Sequence, residues 1–133
     1  KFFLCVEKHL KNDGLFIFDT VTEKTTGEYF ADADFGEDFE DYIYTRKCIY
    51  DTDEEVQYNK FSILEKLSHN LYKKSKETHK QRIYSIDTLK SIIKKANLKV
   101  CDIYADFDIE PIDHSKENEY LRLHWIIKKK GRI

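Results

Sequence analysis

The sequence predicts an α/β fold interrupted by a small antiparallel β-sheet, on three observations. The run Leu15-Phe16-Ile17-Phe18 follows a helical pattern and a glycine turn, and it is apolar on both faces, as a buried strand of an α/β sheet is. The stretch from Phe39 to Tyr84 instead alternates residue by residue, the period of half-exposed antiparallel strands. From Ser85 the order of helix then strand resumes.

Composition bounds the partners. A chain of 133 residues, 41% apolar and 36% charged, suits one folded domain. With 23 Lys and Arg against 25 Asp and Glu, the net charge of −2 supplies no global field to draw in nucleic acid or an acidic membrane. Apolar runs such as Leu15 to Phe18 fall far short of the about 20 residues that cross a bilayer. Cys5, Cys48 and Cys101 form no C-x-x-C pair, so neither a disulfide framework nor a zinc knuckle is written here, and a reducing cytoplasmic setting fits. Lys1 is not an initiator Met and no leader pattern follows it, so the reading begins inside a longer protein.

The elements follow in order. Phe2, Phe3, Val6 and Leu10 recur at helical spacing with no capping residue before them. Asn12-Asp13-Gly14 supplies the helix stop, with glycine free to take positive φ. The strand Leu15 to Phe18 ends at Asp19-Thr20, and groups that touch ligands gather at the carboxyl ends of such strands. A turn or cap aspartate is the other reading of Asp19. Residues 21 to 38 carry few apolar side chains and read as a mobile connection.

In the next strand Tyr42, Tyr44, Arg46, Cys48 and Tyr50 share one face. Asp51 to Glu54 is a hairpin turn, Val56 to Leu67 returns, and His69 to Tyr84 adds a third strand. Ser85 then caps a helix carrying Ile86, Leu89, Ile92, Ile93 and Ala96 on one face, with Asp87 at its positive end and Asn97 ending it. Val100 to Phe107 is a strand with Cys101, Ile103, Ala105 and Phe107 on one face. The acidic stretch Asp106 to Glu119 is a loop, and Tyr120 to Ile127 is a final strand before a solvated Lys128-Lys129-Lys130 tail.

In this order the chain resembles the C-terminal half of a class I S-adenosylmethionine-dependent methyltransferase. His9-Leu10-Lys11-Asn12-Asp13-Gly14-Leu15-Phe16-Ile17-Phe18-Asp19 looks like the family's stretch entering its fifth strand. Tyr84 to Leu89 followed by Ala96 to Val100 looks like the helix leading to its sixth strand. Glu77-Thr78-His79-Lys80-Gln81-Arg82 is similar to the end of an antiparallel insertion in a bacterial small-molecule-type subgroup. The implied fold is a partial Rossmann-like methyltransferase sheet, its last three strands plus helices, with an inserted antiparallel β-sheet. Residues 1–25 and 85–133 would form the C-terminal half of the methyltransferase domain and 26–84 the insertion on the acceptor side.

Asp13 and Asn97 stand where the family usually has glycine, and both residue types visit the left-handed region readily. None of Gly14, Gly27, Gly36 and Gly131 matches the glycine-rich loop that lets a backbone approach the cofactor. The resemblance therefore implies S-adenosylmethionine as cofactor, bound mainly by protein outside this chain, and assigns no cofactor-binding residue here. This chain alone would be inactive.

The resemblance places the functional weight on His79 and Asp19 as catalytic residues, and on Tyr44, Arg46, Glu77 and Arg82 as substrate-binding ones. In a strand Glu77, His79 and Gln81 share one face while Arg82 and Tyr84 point to the other. Imidazole beside a carboxylate can take a proton from an acceptor hydroxyl or amine; a solvated polar strand face is the bland reading.

His69 and His79 with Glu65 and Glu77 fit no usual metal-ligand spacing, and no metal is expected. Lys73, Lys74, Lys76, Lys80 and Arg82 with Tyr72 and Tyr84 form a basic, aromatic-interleaved segment of the kind that holds nucleic acid, but the acidic stretches 32–41 and 51–55 argue against that partner. The expected partner is a small-molecule acceptor, with no membrane and with homo-oligomers formed through the unpaired edge of strand Leu15 to Phe18. The alternative to an enzyme is a non-catalytic binding or oligomerisation module that keeps this fold.

Overall fold

The computed structural model describes residues 1–131; Arg132 and Ile133, the end of the expected 85–133 segment, lie outside the described residues. The chain divides into two units, Lys1–Thr25 with Tyr84–Ile133, and Thr26–Ile83.

The first unit is organised around Trp125. Its sheet has the order β1-β7-β6, from β1 (Leu15–Val21), β6 (Leu98–Ala105) and β7 (Arg122–Lys129). β7 runs antiparallel to both neighbours, as expected of the final strand. Leu123, Trp125 and Ile127 of β7 are buried, packed with Ile86, Leu89 and Ile93 of α3 (Ile86–Lys95) and Phe3 of α1 (Phe2–His9). The ring of Trp125 stacks on Phe18 at 5.8 Å and 6°, and Phe18 in turn meets Phe3 and Phe16.

α3 has the termini its sequence writes. Ser85 Oγ accepts from Thr88 N at 3.2 Å, Asp87 sits in the first turn and Lys94 and Lys95 in the last, and Asn97 takes φ 58° just past the end, the left-handed stop that frees a helix carbonyl for a turn bond. Ile86 N donates to Glu117 Oε1 at 3.0 Å, a second cap reached from 31 residues away. Glu117 belongs to a short 3-10 turn (His114–Glu119) inside the expected loop. Asp113 caps that turn, and its hydrogen bonds from Ser115 hold its carboxyl below the ordinary aspartate value.

Three expectations for this unit need correction. β1 is not buried on both sides: Leu15 is 57% and Ile17 63% exposed, because among the described residues β1 is an edge strand and helices cover only the Phe16 and Phe18 side. Cys101 is left unpaired by a bulge between Val100 and Asp102, so the simple alternation that would link it to Ile103 and Ala105 is interrupted there; Phe107 lies past the strand with φ 65° and is 82% exposed. Lys128 and Lys129 are not a free tail but the end of β7, with Lys129 Nζ 3.8 Å from Glu7.

The second unit is an antiparallel meander of four strands, order β2-β3-β4-β5, from β2 (Asp32–Asp38), β3 (Tyr42–Asp51), β4 (Val56–Ser68) and β5 (Leu71–Arg82). The mobile connection expected at 21–38 is instead α2 (Glu23–Tyr29), which spans the join of the units, followed by β2. β2 escaped sequence reading because it is held mainly by backbone pairing to β3: of its residues only Ala33 and Phe35 carry apolar side chains, and Phe35 is still 42% exposed. In the β3–β4 hairpin the Asp51 carboxylate accepts from Asp53 N and Glu54 N at 3.1 and 3.0 Å, an Asx turn.

Candidate functional site

Opposite residues of an antiparallel ladder point to the same side, so the register sorts the second unit into two faces. Tyr44, Arg46 and Cys48 of β3 lie opposite Ile63, Phe61 and Asn59 of β4, and Phe61 and Asn59 lie opposite Glu77 and His79 of β5. Tyr44, Arg46, Glu77 and His79 are thereby brought to one face. Arg82 is not, because it pairs with Val56 on the opposite face.

At the centre of the first face the Arg46 guanidinium lies 5.2, 5.6 and 5.8 Å from the ring centroids of Phe30, Phe35 and Phe61, a cation held against aromatic faces. Arg46 Nε and Nη2 donate to Asn59 Oδ1 at 3.0 and 2.7 Å, and Cys48 Sγ and Gln57 Nε2 donate to the same oxygen at 3.2 Å each. The four donors fix the orientation of the amide and of Arg46. His79 continues this face, its ring 5.2 Å from Phe61 and its Nε2 3.0 Å from Glu77 Oε2. The carboxylate thus orients the imidazole and leaves Nδ1 as the other ring nitrogen for a proton acceptor's role. Both side chains are exposed, open to a ligand and worth little to stability as a pair. At the far end Tyr44 donates from its hydroxyl to Glu37 Oε2 at 3.0 Å, and that bond to a carboxylate raises the phenol above its ordinary value.

Asp19 lies in the first unit, on the carboxyl end of β1. β1 and β6 both run antiparallel to β7, so their carboxyl ends meet the start of β7 at one edge of the sheet. Asp19 forms an ion pair with Arg122 of β7 and lies opposite His124. Asp106, with φ 51°, pins this edge by accepting from Leu121 N and Arg122 N at 3.0 and 2.8 Å. The ring of Phe107 covers His124 at 4.8 Å, and His124 Nε2 is buried without a hydrogen-bond partner among the described residues.

Asn59 and His124 are the residues that sequence reading missed. Asn59 follows Gln57 on the face of β4 that continues with Phe61 and Ile63, and its part in the cluster is legible only once the hairpin register is known. His124 is a polar residue among Leu123, Trp125 and Ile127 and carried no pattern of its own. Among the described residues no three His, Cys, Asp or Glu side chains converge as metal ligands, and no helix is long and apolar enough to cross a membrane.

The chain is similar to "Putative methyltransferase YqeM" of Bacillus subtilis, 27% identical over 120 residues that make up 86% of this chain and 46% of that protein. It is similar also to a protein of the same description from a Geobacillus species, at 28% over 120 residues and 47% of its length. No protein-family profile matches. Among solved structures, an S-adenosylmethionine-dependent methyltransferase from Clostridium acetobutylicum superposes with TM-score 0.77 at 21% identity, covering 98% of this chain and 50% of the other. The CcbJ methyltransferase of Streptomyces caelestis gives 0.67 at 11% identity over 96% and 51%, and the sugar N-methyltransferase KedS8 of a Streptoalloteichus species gives 0.58 at 10% over 96% and 47%. The chain spans about half the length of the curated relatives it matches. It has the fold of one half of a Rossmann-like methyltransferase, an antiparallel insertion included.

Proposed function

We propose that the chain is the C-terminal, acceptor-recognising half of an S-adenosylmethionine-dependent methyltransferase acting on a small molecule. The observation that carries this reading is the ordered face of the second unit, Arg46 fixed among three aromatic rings beside the His79–Glu77 pair, on a fold that matches half of several methyltransferases. The name of KedS8, a sugar N-methyltransferase, supports a small polar acceptor. In this reading Arg46 and Tyr44 hold the acceptor, and His79, oriented by Glu77, receives a proton from its hydroxyl or amine. Asp19, paired with Arg122 in the first unit, is a separate candidate for a catalytic role. Three free thiols at Cys5, Cys48 and Cys101 agree with a cytoplasmic setting.

The described residues do not fit the cofactor by themselves. Gly14 lies in the turn before β1, Gly36 lies within β2, and Gly27 and Gly131 have open space where a side chain would begin, so none makes a close backbone approach at a strand-to-helix turn. Cofactor binding is accordingly assigned to protein outside this chain. Calorimetry should find S-adenosylmethionine binding in the full-length protein and none at micromolar concentration in the 133-residue chain; micromolar binding by the latter overturns the assignment.

The acceptor role is tested in the full-length enzyme with His79→Ala. The expected result is a fall in kcat/KM of about 100-fold, the lower end of what a general base contributes, with thermal stability unchanged because the side chain is exposed. Unchanged kinetics at saturating and subsaturating acceptor would return this segment to a solvated strand face.

A second reading, a binding or oligomerisation module, is favoured by one observation: the open edge of β1 with Leu15 and Ile17 exposed. Unpaired strand edges with apolar side chains recruit partners. Sedimentation of the 133-residue chain is expected to show concentration-dependent self-association, and a monomer at every concentration would remove this support.

A further inference from the structure

We propose that the face of the second unit's sheet opposite Arg46 and His79 binds a single strand of nucleic acid through its phosphate backbone. The basic segment of β5 and the lysines of β4, scattered in sequence, are sorted by the pairing register onto this one face. Lys60 and Lys66 of β4 and Lys74, Lys76, Lys80 and Arg82 of β5 all lie on it, and all are exposed. Lys47 of β3 joins them, directly opposite Lys60. Like charges directly opposite one another destabilise a sheet, and among the described residues only Lys47 has a carboxylate partner, Asp32 at 3.9 Å. A cationic surface this poorly neutralised from within is matched by an anion from outside.

The acidic stretches that argued against nucleic acid are gathered at one side of this face: Asp32, Asp34 and Asp38 share it by register but stand on β2, the edge strand farthest from β5, and residues 51–55 form the β3–β4 hairpin end. A trough of about 750 Å³ crosses the strands, lined from this face by Thr45, Ser62, Thr78, Lys47, Lys60 and Lys76, and reached from the other face by Arg46, Phe61 and Glu77. Asp34 is the one carboxylate of β2 that reaches its rim. Gly36 keeps that end low, since a Cβ there would meet the Tyr44 carbonyl oxygen at 3.3 Å.

Same-face residues along a strand are about 6.7 Å apart, a spacing that lets successive cations follow an extended phosphodiester chain. Tyr72, exposed and opposite Lys66, and Tyr58, whose ring lies 5.2 Å from Lys80 Nζ, share the face and offer π-surfaces for bases, as stacking platforms on sheets do. Ser62 and Thr78 stand among the cations, and the apolar side chains there, Leu64 and Ile43, are partly buried rather than protruding, which favours a nucleic-acid strand over a lipid surface.

Fluorescence anisotropy with a labelled single-stranded oligouridylate tests the proposal. The purified protein is expected to bind with a Kd in the range of about 1–100 μM at low salt, and log Kobs should fall with log salt at a slope of about −2 to −3, the loss expected for three or four phosphate contacts. Lys74→Gln, Lys76→Gln and Lys80→Gln combined should weaken binding at least about 10-fold and remove about 2 from that slope. Tyr72→Ala should weaken it about fivefold or more. Lys73→Gln, on the other face of the same strand, should leave it unchanged.

Circular dichroism checks the fold of the triple variant; if it is unfolded, Lys76→Gln alone should still lower the slope by about 0.7. Absence of oligonucleotide binding, equal losses from Lys73→Gln and Lys76→Gln, or binding of phosphatidylserine vesicles in place of the oligonucleotide each overturns the proposal. Because the face lies opposite the acceptor residues, the triple variant should retain methyl transfer in the full-length enzyme, so this proposal and the methyltransferase reading fail by different results.

Discussion

Trp125→Ala is expected to lower the stability of the first unit by about 3–5 kcal/mol, the usual loss for deleting a fully buried large aromatic side chain. Trp125 is 0% exposed, and three separate losses fall together in that substitution. Its ring no longer shields Phe18, on which it stacks. The cavity left behind is walled by β-strands and by α3, which cannot collapse inward without breaking ladder bonds. The bond from Nε1 to Thr20 Oγ1 at 3.0 Å also disappears, leaving a hydroxyl of β1 unpaired.

A domain at the low end of the usual range of about 5–15 kcal/mol would be largely unfolded by a loss of about 5 kcal/mol, and a more stable one would show a shifted midpoint. Urea titration followed by far-UV circular dichroism is the measurement, since Trp125 is the sole tryptophan and its fluorescence leaves with it. Trp125→Phe, which keeps an aromatic body but no donor, should lose less than half as much. A loss below about 1 kcal/mol for the alanine variant would mean that β1 and β7 are not held by this core.

How much of this was legible in the sequence depends on whether an element announces itself by local chemistry. α3 was legible because a Ser cap, a helical apolar stripe and an Asn stop agree at three levels. The β3–β4–β5 meander was legible because period-2 alternation placed Tyr44 with Arg46 and Glu77 with His79. β2 was illegible because an acidic, exposed edge strand carries no hydrophobic pattern. The exposed face of β1 misled for the opposite reason: an apolar run reports the capacity to be buried, not the presence of a covering layer.

The candidate site shows the same division. Which residues share a strand face follows from counting by two, and Arg82 could be set apart from His79 on that ground alone. Which residues meet across strands requires the register. The hairpin at Asp51 fixes Cys48 opposite Asn59 and Arg46 opposite Phe61, and from that one turn the Asn59 and Phe61 side of the Arg46 cluster follows, while Phe30 and Phe35 come from the segment that includes β2. His124 remained invisible because the cover of Phe107 over it depends on the left-handed backbone of Asp106 and Phe107, which neither residue type demands.

Asn59→Leu is expected to destabilise the second unit by about 2–4 kcal/mol and to release Arg46 from its fixed orientation. Asn59 is 6% exposed, and its side-chain oxygen is the shared acceptor for Arg46, Cys48 and Gln57. Leucine keeps the volume but leaves a half-buried guanidinium and a buried amide without their partner, the costlier half of a broken hydrogen bond. On the proposed role of Arg46 in holding the acceptor, freeing it should raise KM in the full-length protein more than it lowers kcat, as the loss of a binding group does.

Asn59→Asp separates geometry from charge. A carboxylate facing Arg46 restores the acceptor, and its folded-state pKa should be depressed by the guanidinium. The stability it contributes is therefore present above the unfolded-state aspartate value of about 3.9 and is lost as pH falls through the folded value. Urea midpoints near neutral pH should lie close to those of the native protein for Asn59→Asp and well below them for Asn59→Leu, with the two variants converging on acidification. Equal midpoints for both variants at neutral pH would show that Asn59 does not hold Arg46 in place.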